Sequence, residues 1–392
     1  MKILIPLLLV FNVMLYANAT MSPKSYNILM EAQKHIEENK IKEAKELLNQ
    51  LLEAKNDYAK SYAYQYLANI TLQDNNYEKT AEYYEIIIGL NALEKERIDQ
   101  IKLSLSKIYL SLEKYTKSIK LSNELLKDSK IAKIDIYETF IFTYYYTKDF
   151  KKAILYSNKY NTVSKEKKEN IYQILYSSYV ELKEYTNAIA ALEIMTRQWY
   201  TKKNYWLQLA SLYQEKKQYK KALSTIELSY KKDILEPKKH TLFYVNLLFQ
   251  NELYQKASMT LETAFKEKYI KEDKKTSELL ISSYLNAKEF DKAINKIANT
   301  KMKKNPKYQK ILANLYYRKH EYQNTIDILS HSTKKKVKNI DAELHILMAL
   351  SYFELNKINS SIEHLKKVYH SKKRKRAISI AKALRIDLQD LK

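Results

Sequence analysis

Apolar and polar positions alternate in a helical rhythm along nearly the whole chain. The stretch YWLQLASLYQEKKQYKKAL, from Tyr205 to Leu223, reads as a helix, a short polar turn and a second helix. The second helix opens on a large residue, Tyr219, and three residues later carries a small one, Ala222. The same pair recurs down the chain. The large positions are Ile41, Tyr77, Tyr115, Phe150, Tyr185, Tyr219, Tyr254, Phe290, Tyr322 and Ile358. The small positions are Ala44, Thr80, Ser118, Ala153, Ala188, Ala222, Ala257, Ala293, Thr325 and Ser361. Ile41 and Ile358 bracket nine intervals, so the mean period is about 35 residues. Ten small residues at one fixed offset predict ten helix hairpins whose helices cross too closely there for a larger side chain.

First-helix positions follow the same register. Trp206, Leu209, Ala210 and Tyr213 precede Tyr219 as a buried stripe. Equivalent sets are Tyr172, Leu175 and Tyr179; Leu312, Ala313 and Tyr316; and Met348, Ala349 and Tyr352. The prolines agree with the boundaries. Ser22-Pro23 and Asn305-Pro306 read as an N-cap followed by proline in the first turn, and Pro237 precedes a first helix. This pattern resembles the tetratricopeptide repeat. The predicted fold is all-α: a tetratricopeptide-repeat superhelical solenoid of about ten repeats. It is expected over residues 20–376, with a C-terminal capping helix over 377–392, drawn as Ala377 to Leu391.

Composition sharpens the picture. There is one glycine, Gly89, and there are four prolines. Folds with many tight β-turns or glycine-rich phosphate loops need more glycine, because it alone enters φ > 0 freely. Tyrosine occurs 36 times, an excess we read partly as compositional bias with most rings in the core. Trp206 in particular reads as a packed repeat residue. No cysteine is present, which removes disulfides, thiolate metal sites and lipid attachment at an N-terminal cysteine.

The amino terminus, MKILIPLLLVFNVMLYANA, has a lysine, a 14-residue apolar run from Ile3 to Tyr16 and an Ala17-Asn18-Ala19 box. These are the parts of a secretory signal, and the run is short for a bilayer span. Residues 1–19 are therefore expected to be cleaved after Ala19, placing a mature, soluble chain in the periplasm.

The formal charge is +24, and removal of Lys2 would leave about +23. Such a chain favours acidic partners, and Lys372–Arg376 (KKRKR) reads as a basic patch. Export argues against nucleic acid. An anionic envelope polymer or an acidic protein is the alternative partner, with contact to the membrane peripheral at most. Against this, lysines occupy nearly every inter-helix turn, the pattern of an even solvated coat.

Catalytic constellations are missing from the sequence: it holds no glycine-rich phosphate loop, no GxSxG and no HExxH. His345 and His364 fall on the two helices of the last repeat, where solvent-facing positions are expected. No cofactor, no metal and no enzymatic activity are expected.

Binding in such repeats is expected on the surface lined by first helices. The register places Glu138, Phe142, Tyr145 and Tyr146 there in the fourth repeat, then Asn170, Gln173 and Ser177, then Asn204, Leu207 and Ser211. Leu242, Asn246 and Phe249 follow, and later Lys310, Asn314 and Tyr317. The candidate groove residues are Tyr145, Gln173, Asn204, Asn246, Phe249, Lys310, Asn314 and Tyr317. Amides bond a peptide backbone and rings pack its side chains.

Three stretches carry a closer likeness: MSPKSYNILMEAQKHIEENKIKEAKELL, YWLQLASLYQEKKQYKKAL, and Ile226 to Phe265. They resemble the exported tetratricopeptide proteins of TonB energy-transduction systems. That resemblance implies a periplasmic adaptor working beside TonB and its inner-membrane motor proteins, contributing protein contacts and no chemistry. The alternative is a scaffold for envelope or cell-wall assembly.

Overall fold

The computed structural model describes residues 21–333 and 342–392. The expected signal segment, residues 1–19, lies outside them. Among the described residues there are 21 α-helices and no strand. The chain divides into two compact units, Met1–Lys216 and Lys217–Lys392.

The first unit holds α1 (Pro23–Glu37), α2 (Ile41–Leu52), α3 (Asp57–Gln73), α4 (Tyr77–Leu90), α5 (Lys95–Ser111) and α6 (Tyr115–Lys127). It continues with α7 (Lys133–Tyr146), α8 (Phe150–Val163), α9 (Glu169–Glu181), α10 (Tyr185–Gln198) and α11 (Lys203–Glu215). The second unit holds α12 (Tyr219–Lys231), α13 (Pro237–Gln250), α14 (Tyr254–Lys266), α15 (Lys274–Asn286) and α16 (Phe290–Ala298). After it come α17 (Pro306–Arg318), α18 (Tyr322–Thr333), α19 (Ala342–Glu354), α20 (Ile358–Tyr369) and α21 (Arg374–Ala383). Within each unit, helices pack on their neighbours in chain order as tetratricopeptide-type hairpins.

Each of the ten large positions is the first residue of an even-numbered helix, α2 through α20. Each of the ten small positions has a relative exposure of 0%. The helices therefore touch where the register says they do, and a close-packed interior tolerates no added methylenes there. The large residues themselves are only half-buried, and Ile358 is exposed at 40%. They brace the hairpin corner rather than fill its core. Trp206 is buried, and its indole N–H donates to the Tyr200 carbonyl at 2.7 Å. Pro23, Pro237 and Pro306 open α1, α13 and α17, with Ser22 and Asn305 as side-chain caps.

The turn inside every hairpin uses a left-handed residue two places before the large position. These are Asn39, Asn75, Glu113, Lys148, Lys183, Lys217, Glu252, Lys288, His320 and Asn356, all with φ between 56° and 60°. In nine hairpins the next amide closes a loop to a carbonyl five residues back, as in Lys114 N–H to Tyr109 at 2.8 Å and Asp149 N–H to Tyr144 at 2.8 Å. That bond satisfies a carbonyl orphaned at the helix end. Glycine is the usual occupant of such a position; this chain has none there.

Neighbouring repeats are tied by a recurring polar staple. Glu85 on α4 accepts from the Tyr109 hydroxyl on α5 and from Lys117 on α6, the lysine at 3.0 Å. Glu262 on α14 accepts from Tyr284 on α15 at 2.7 Å and Lys292 on α16 at 3.1 Å. Glu227, Tyr244 and Lys256 repeat the motif, and Tyr213 donates to Glu193. Each lysine of the three triads also lies over its tyrosine ring, at 5.1 to 5.8 Å. Part of the tyrosine and lysine excess thus has a structural use.

The C-terminal cap differs from the expected single helix over Ala377–Leu391. α21 begins three residues earlier and ends at Ala383. Arg385 then turns left-handed at φ 56°, and a 3₁₀ turn covers Leu388–Leu391. The reversal lets Ile386 and Leu391 pack with Ala377, Ala381 and Tyr369. A continuous helix would carry them away from that apolar cluster.

Candidate binding groove

Three consecutive first helices of the first unit, α7, α9 and α11, line a cavity of about 720 Å³. From α7 come Phe142, Tyr145 and Tyr146, an aromatic wall. The Tyr145 and Tyr146 rings meet edge to face at 5.8 Å, and Tyr145 also meets Phe150 edge to face at 6.0 Å. Packing against the next helix start fixes the wall without removing it from solvent. From α9 come Glu169, Asn170, Gln173, Ile174, Tyr176 and Ser177. From α11 and the turn before it come Thr201, Lys202, Lys203, Asn204, Tyr205 and Gln208.

A hydrogen-bond chain orders the middle of this cavity. Gln173 Nε2 donates to the Tyr205 hydroxyl at 2.6 Å, and that hydroxyl donates to Glu169 at 2.5 Å. Burial, helped by the Glu169 carboxylate, pushes the Tyr205 phenol up to about 12, so it stays a donor at neutral pH. Lys202 lies 3.9 Å from Glu169. Gln208 Oε1 is buried and accepts no hydrogen bond. A buried unmet acceptor is costly.

Tyr145, Gln173 and Asn204, expected in the groove from sequence, are brought together here. So are Phe142, Tyr146, Asn170 and Ser177, whereas Leu207 and Ser211 are not among the lining residues. Glu138 holds Lys168 at 3.0 Å instead. Burial works against the Lys168 charge, but the hydrogen bond and charge of Glu138, with Tyr160 beside them, together outweigh it and raise the lysine above its ordinary value. Glu169, Tyr205 and Gln208 escaped the sequence reading. Tyr205 and Gln208 each sit one residue before a packed-stripe position, Trp206 and Leu209, and the register placed them in neither the stripe nor the groove.

The remaining candidates lie in the second unit. Asn246 is exposed, and Phe249 is half-buried, edge-on to Tyr254 at 5.4 Å. Tyr317 meets Tyr322 in the same way at 5.5 Å. Asn314 is exposed, with its amide donating to the Lys310 carbonyl at 2.8 Å, and Lys310 is half-buried. A second cavity of about 500 Å³ in this unit is lined by Glu272, Asp273, Tyr308 and neighbours. Its carboxylates already have structural tasks: Asp273 caps α15, and Glu272 holds Lys296 at 2.5 Å.

One expectation for the last repeat needs correction. His345 and His364 do not face solvent. Both are 8% exposed, and their Nδ1 atoms are 2.8 Å apart. Each sits on the packed face of its helix, and the pair shares a hydrogen bond in which one ring donates and the other accepts. The KKRKR run is exposed, with one carboxylate set against its five charges. Lys373 and Arg376 both pair with Glu343, and Arg374 stacks over Tyr369 at 4.2 Å. Among the described residues no helix is long and apolar enough to cross a membrane, and no group of three metal-ligating side chains converges.

No family model matches the chain, and no curated protein matches it in sequence. Solved structures do. A tetratricopeptide repeat protein from Parabacteroides merdae is similar at 13% identity over 67% of this chain and 99% of that one, with a TM-score of 0.41. A chain in the structure of Naa15/Naa10 bound to HypK-THB is similar at 13% identity over 92% of this chain and 58% of that one, with a TM-score of 0.44. The C-terminal part of a TPR repeat-containing protein from Cytophaga hutchinsonii is similar at 14% identity, covering 71% and 98%, with a TM-score of 0.35.

Proposed function

We propose that this chain is a protein–protein adaptor that holds an extended segment of its partner across α7, α9 and α11. The observation that carries the reading is the groove itself: an aromatic wall beside a row of amides. Rings take apolar side chains and amides take backbone groups, which suits a peptide in extended form. The adaptor acts by contact and carries no chemistry of its own.

The place of action in this proposal is the periplasm, and the partners are TonB or its motor proteins in a TonB-dependent transport system. Two features support that finer reading: the apolar run with its Ala17-Asn18-Ala19 box, and the likeness of Tyr205–Leu223 and Ile226–Phe265 to exported proteins of such systems. Crosslinking a tagged copy in living cells, followed by mass spectrometry of the products, tests it. Recovery of TonB or its motor proteins is the expected result. Recovery of cell-wall assembly factors with no TonB component would contradict the transport role while leaving the adaptor standing.

A further inference from the structure

We propose that the C-terminal cap is a docking surface for an anionic phospholipid bilayer, met by the outer face of α21 and the turns on either side of it. This surface lies within the second unit and is independent of what the groove binds.

Positive charge is not spread evenly along the chain. From Lys366 to Arg385 there are nine cations and no carboxylate in 20 residues, so this stretch supplies nine of the net +24. The fold leaves them outside. Ala377 and Ala381 turn inward to the apolar cluster beneath the cap. Lys375, Ser379 and Lys382, at i, i+4 and i+7, share the opposite face of α21, and all three are exposed. Glu343 on α19 is already shared by Lys373 and Arg376. Lys372, Lys375, Lys382 and Arg385 form no ion pair among the described residues.

Stability does not account for this choice of charge. A terminal helix needs a polar outer face, which carboxylates supply as well as lysines do. Arg374, Lys375 and Arg376 fill the first turn of α21, and no acid stands there. The positive end of the helix dipole disfavours cations in that place. A layer of external anions relieves both the dipole and the mutual repulsion of the cations.

The chemistry of the partner follows from what accompanies the charge. Among the described residues from Lys366 to Lys392 no large apolar side chain is exposed, so the apolar centre of a protein interface is missing. Tyr369 is buried with Arg374 stacked over it at 4.2 Å, and its ring offers no face to a nucleic-acid base. What remains is a set of point charges on flexible stems over an amphipathic helix. Clusters of about four to eight Lys and Arg in that setting suit anionic head groups, each cation near the surface adding to the attraction.

The test uses residues 20–392, the chain left after the expected cleavage, which contains every described residue. Binding is read by co-sedimentation with vesicles of phosphatidylcholine, alone or with about 40% phosphatidylglycerol, at about 50 and about 500 mM NaCl. The expected result is binding to the anionic vesicles only, weakened at least about tenfold at the higher salt. Combining Lys372→Gln, Lys375→Gln and Lys382→Gln should weaken it at least about tenfold. Melting of that variant should be unchanged or raised, because a first-turn cation is gone. Removing as much charge from exposed sites of the first unit, by Lys151→Gln, Lys165→Gln and Lys167→Gln, should change binding less than about twofold. Equal losses in the two triple variants would overturn the proposal, since the charge would then act as a general coat. Equal binding to neutral vesicles, or none to anionic ones, would overturn it as well. Tighter binding of duplex DNA or of a polyglutamate peptide than of anionic vesicles, abolished in the cap variant, would overturn the bilayer as the partner of this surface.

Discussion

The Tyr284 hydroxyl donates to Glu262 across a repeat boundary at 2.7 Å, and Lys292 reaches the same carboxylate oxygen from the following helix. One acid thereby joins three helices, α14, α15 and α16. Removing only the hydroxyl tests what this is worth. Tyr284→Phe should destabilise the chain by about 0.5–1.5 kcal/mol, the net value of one such bond, because the ring stays packed. Urea unfolding followed by circular dichroism reads the change. An unchanged midpoint would mean the staple is a surface ornament of the kind exposed ion pairs often are.

The same motif gives a pH dependence with a defined sign. Glu85 is held below the ordinary carboxylate range, first by the Tyr109 hydroxyl and then by Lys117. A carboxyl whose folded value is depressed contributes stability above its unfolded value and loses it as pH falls through the folded one. Acid should therefore weaken the joint between the second and third repeats. Glu85→Gln should flatten the fall in melting temperature below about pH 5.

His364 makes a second acid-sensitive point. Burial comes first, and the His345 ring beside it and Lys367 add to it, lowering its value to about 4 against the opposing pull of Glu363. The unfolded chain takes up a proton near pH 6.5 and the folded chain resists until far lower. Stability is thus present in full above about pH 6.5 and declines between there and about pH 4. His364→Asn should lower the melting temperature at pH 7 yet remove part of that decline. An identical pH profile in the two proteins would contradict the buried pair.

Left-handed turns offer a gain. Lys148, Lys183 and Lys288 are exposed and hold φ near 60°. A non-glycine residue is strained there, whereas glycine is not. Each Lys→Gly change should stabilise by about 0.5–1 kcal/mol, after allowing for glycine's freer unfolded chain. Measured by thermal unfolding, three such changes at separated sites should add.

Ala222 sits fully buried at the start of α12. Ala222→Leu should overfill the close-packed surroundings of this side chain and cost about 1–3 kcal/mol. An unchanged melting temperature would break the repeat register on which the fold assignment depends.

Much of the fold was legible because its determinants are local. A large residue and a small one three positions on, such as Tyr219 and Ala222, lie on adjacent turns of one helix and mark its start without any distant partner. The turn conformation was not legible. Lys148, Glu252 and His320 give no sign of a left-handed residue, which the geometry of the hairpin imposes. Tyr145, Gln173 and Asn204 were readable from register alone. Glu169 was not, because its role depends on Tyr205, which is 36 residues away. The histidine pair was missed for a related reason: a polar residue with a polar partner looks like a surface residue until the partner is seen. At the C-terminus, the helical pattern of the sequence ran on past Arg385, where burial of Ile386 and Leu391 reverses the chain.

The central claim is that the partner lies across α7, α9 and α11. A photocrosslinking amino acid placed in living cells at Tyr145, at Asn204 and at Leu155, an exposed residue of α8 outside the groove, tests it most directly. The account predicts adducts from positions 145 and 204 that map to one short segment of one protein, and none from position 155. Adducts from position 155 with none from the groove positions would contradict it.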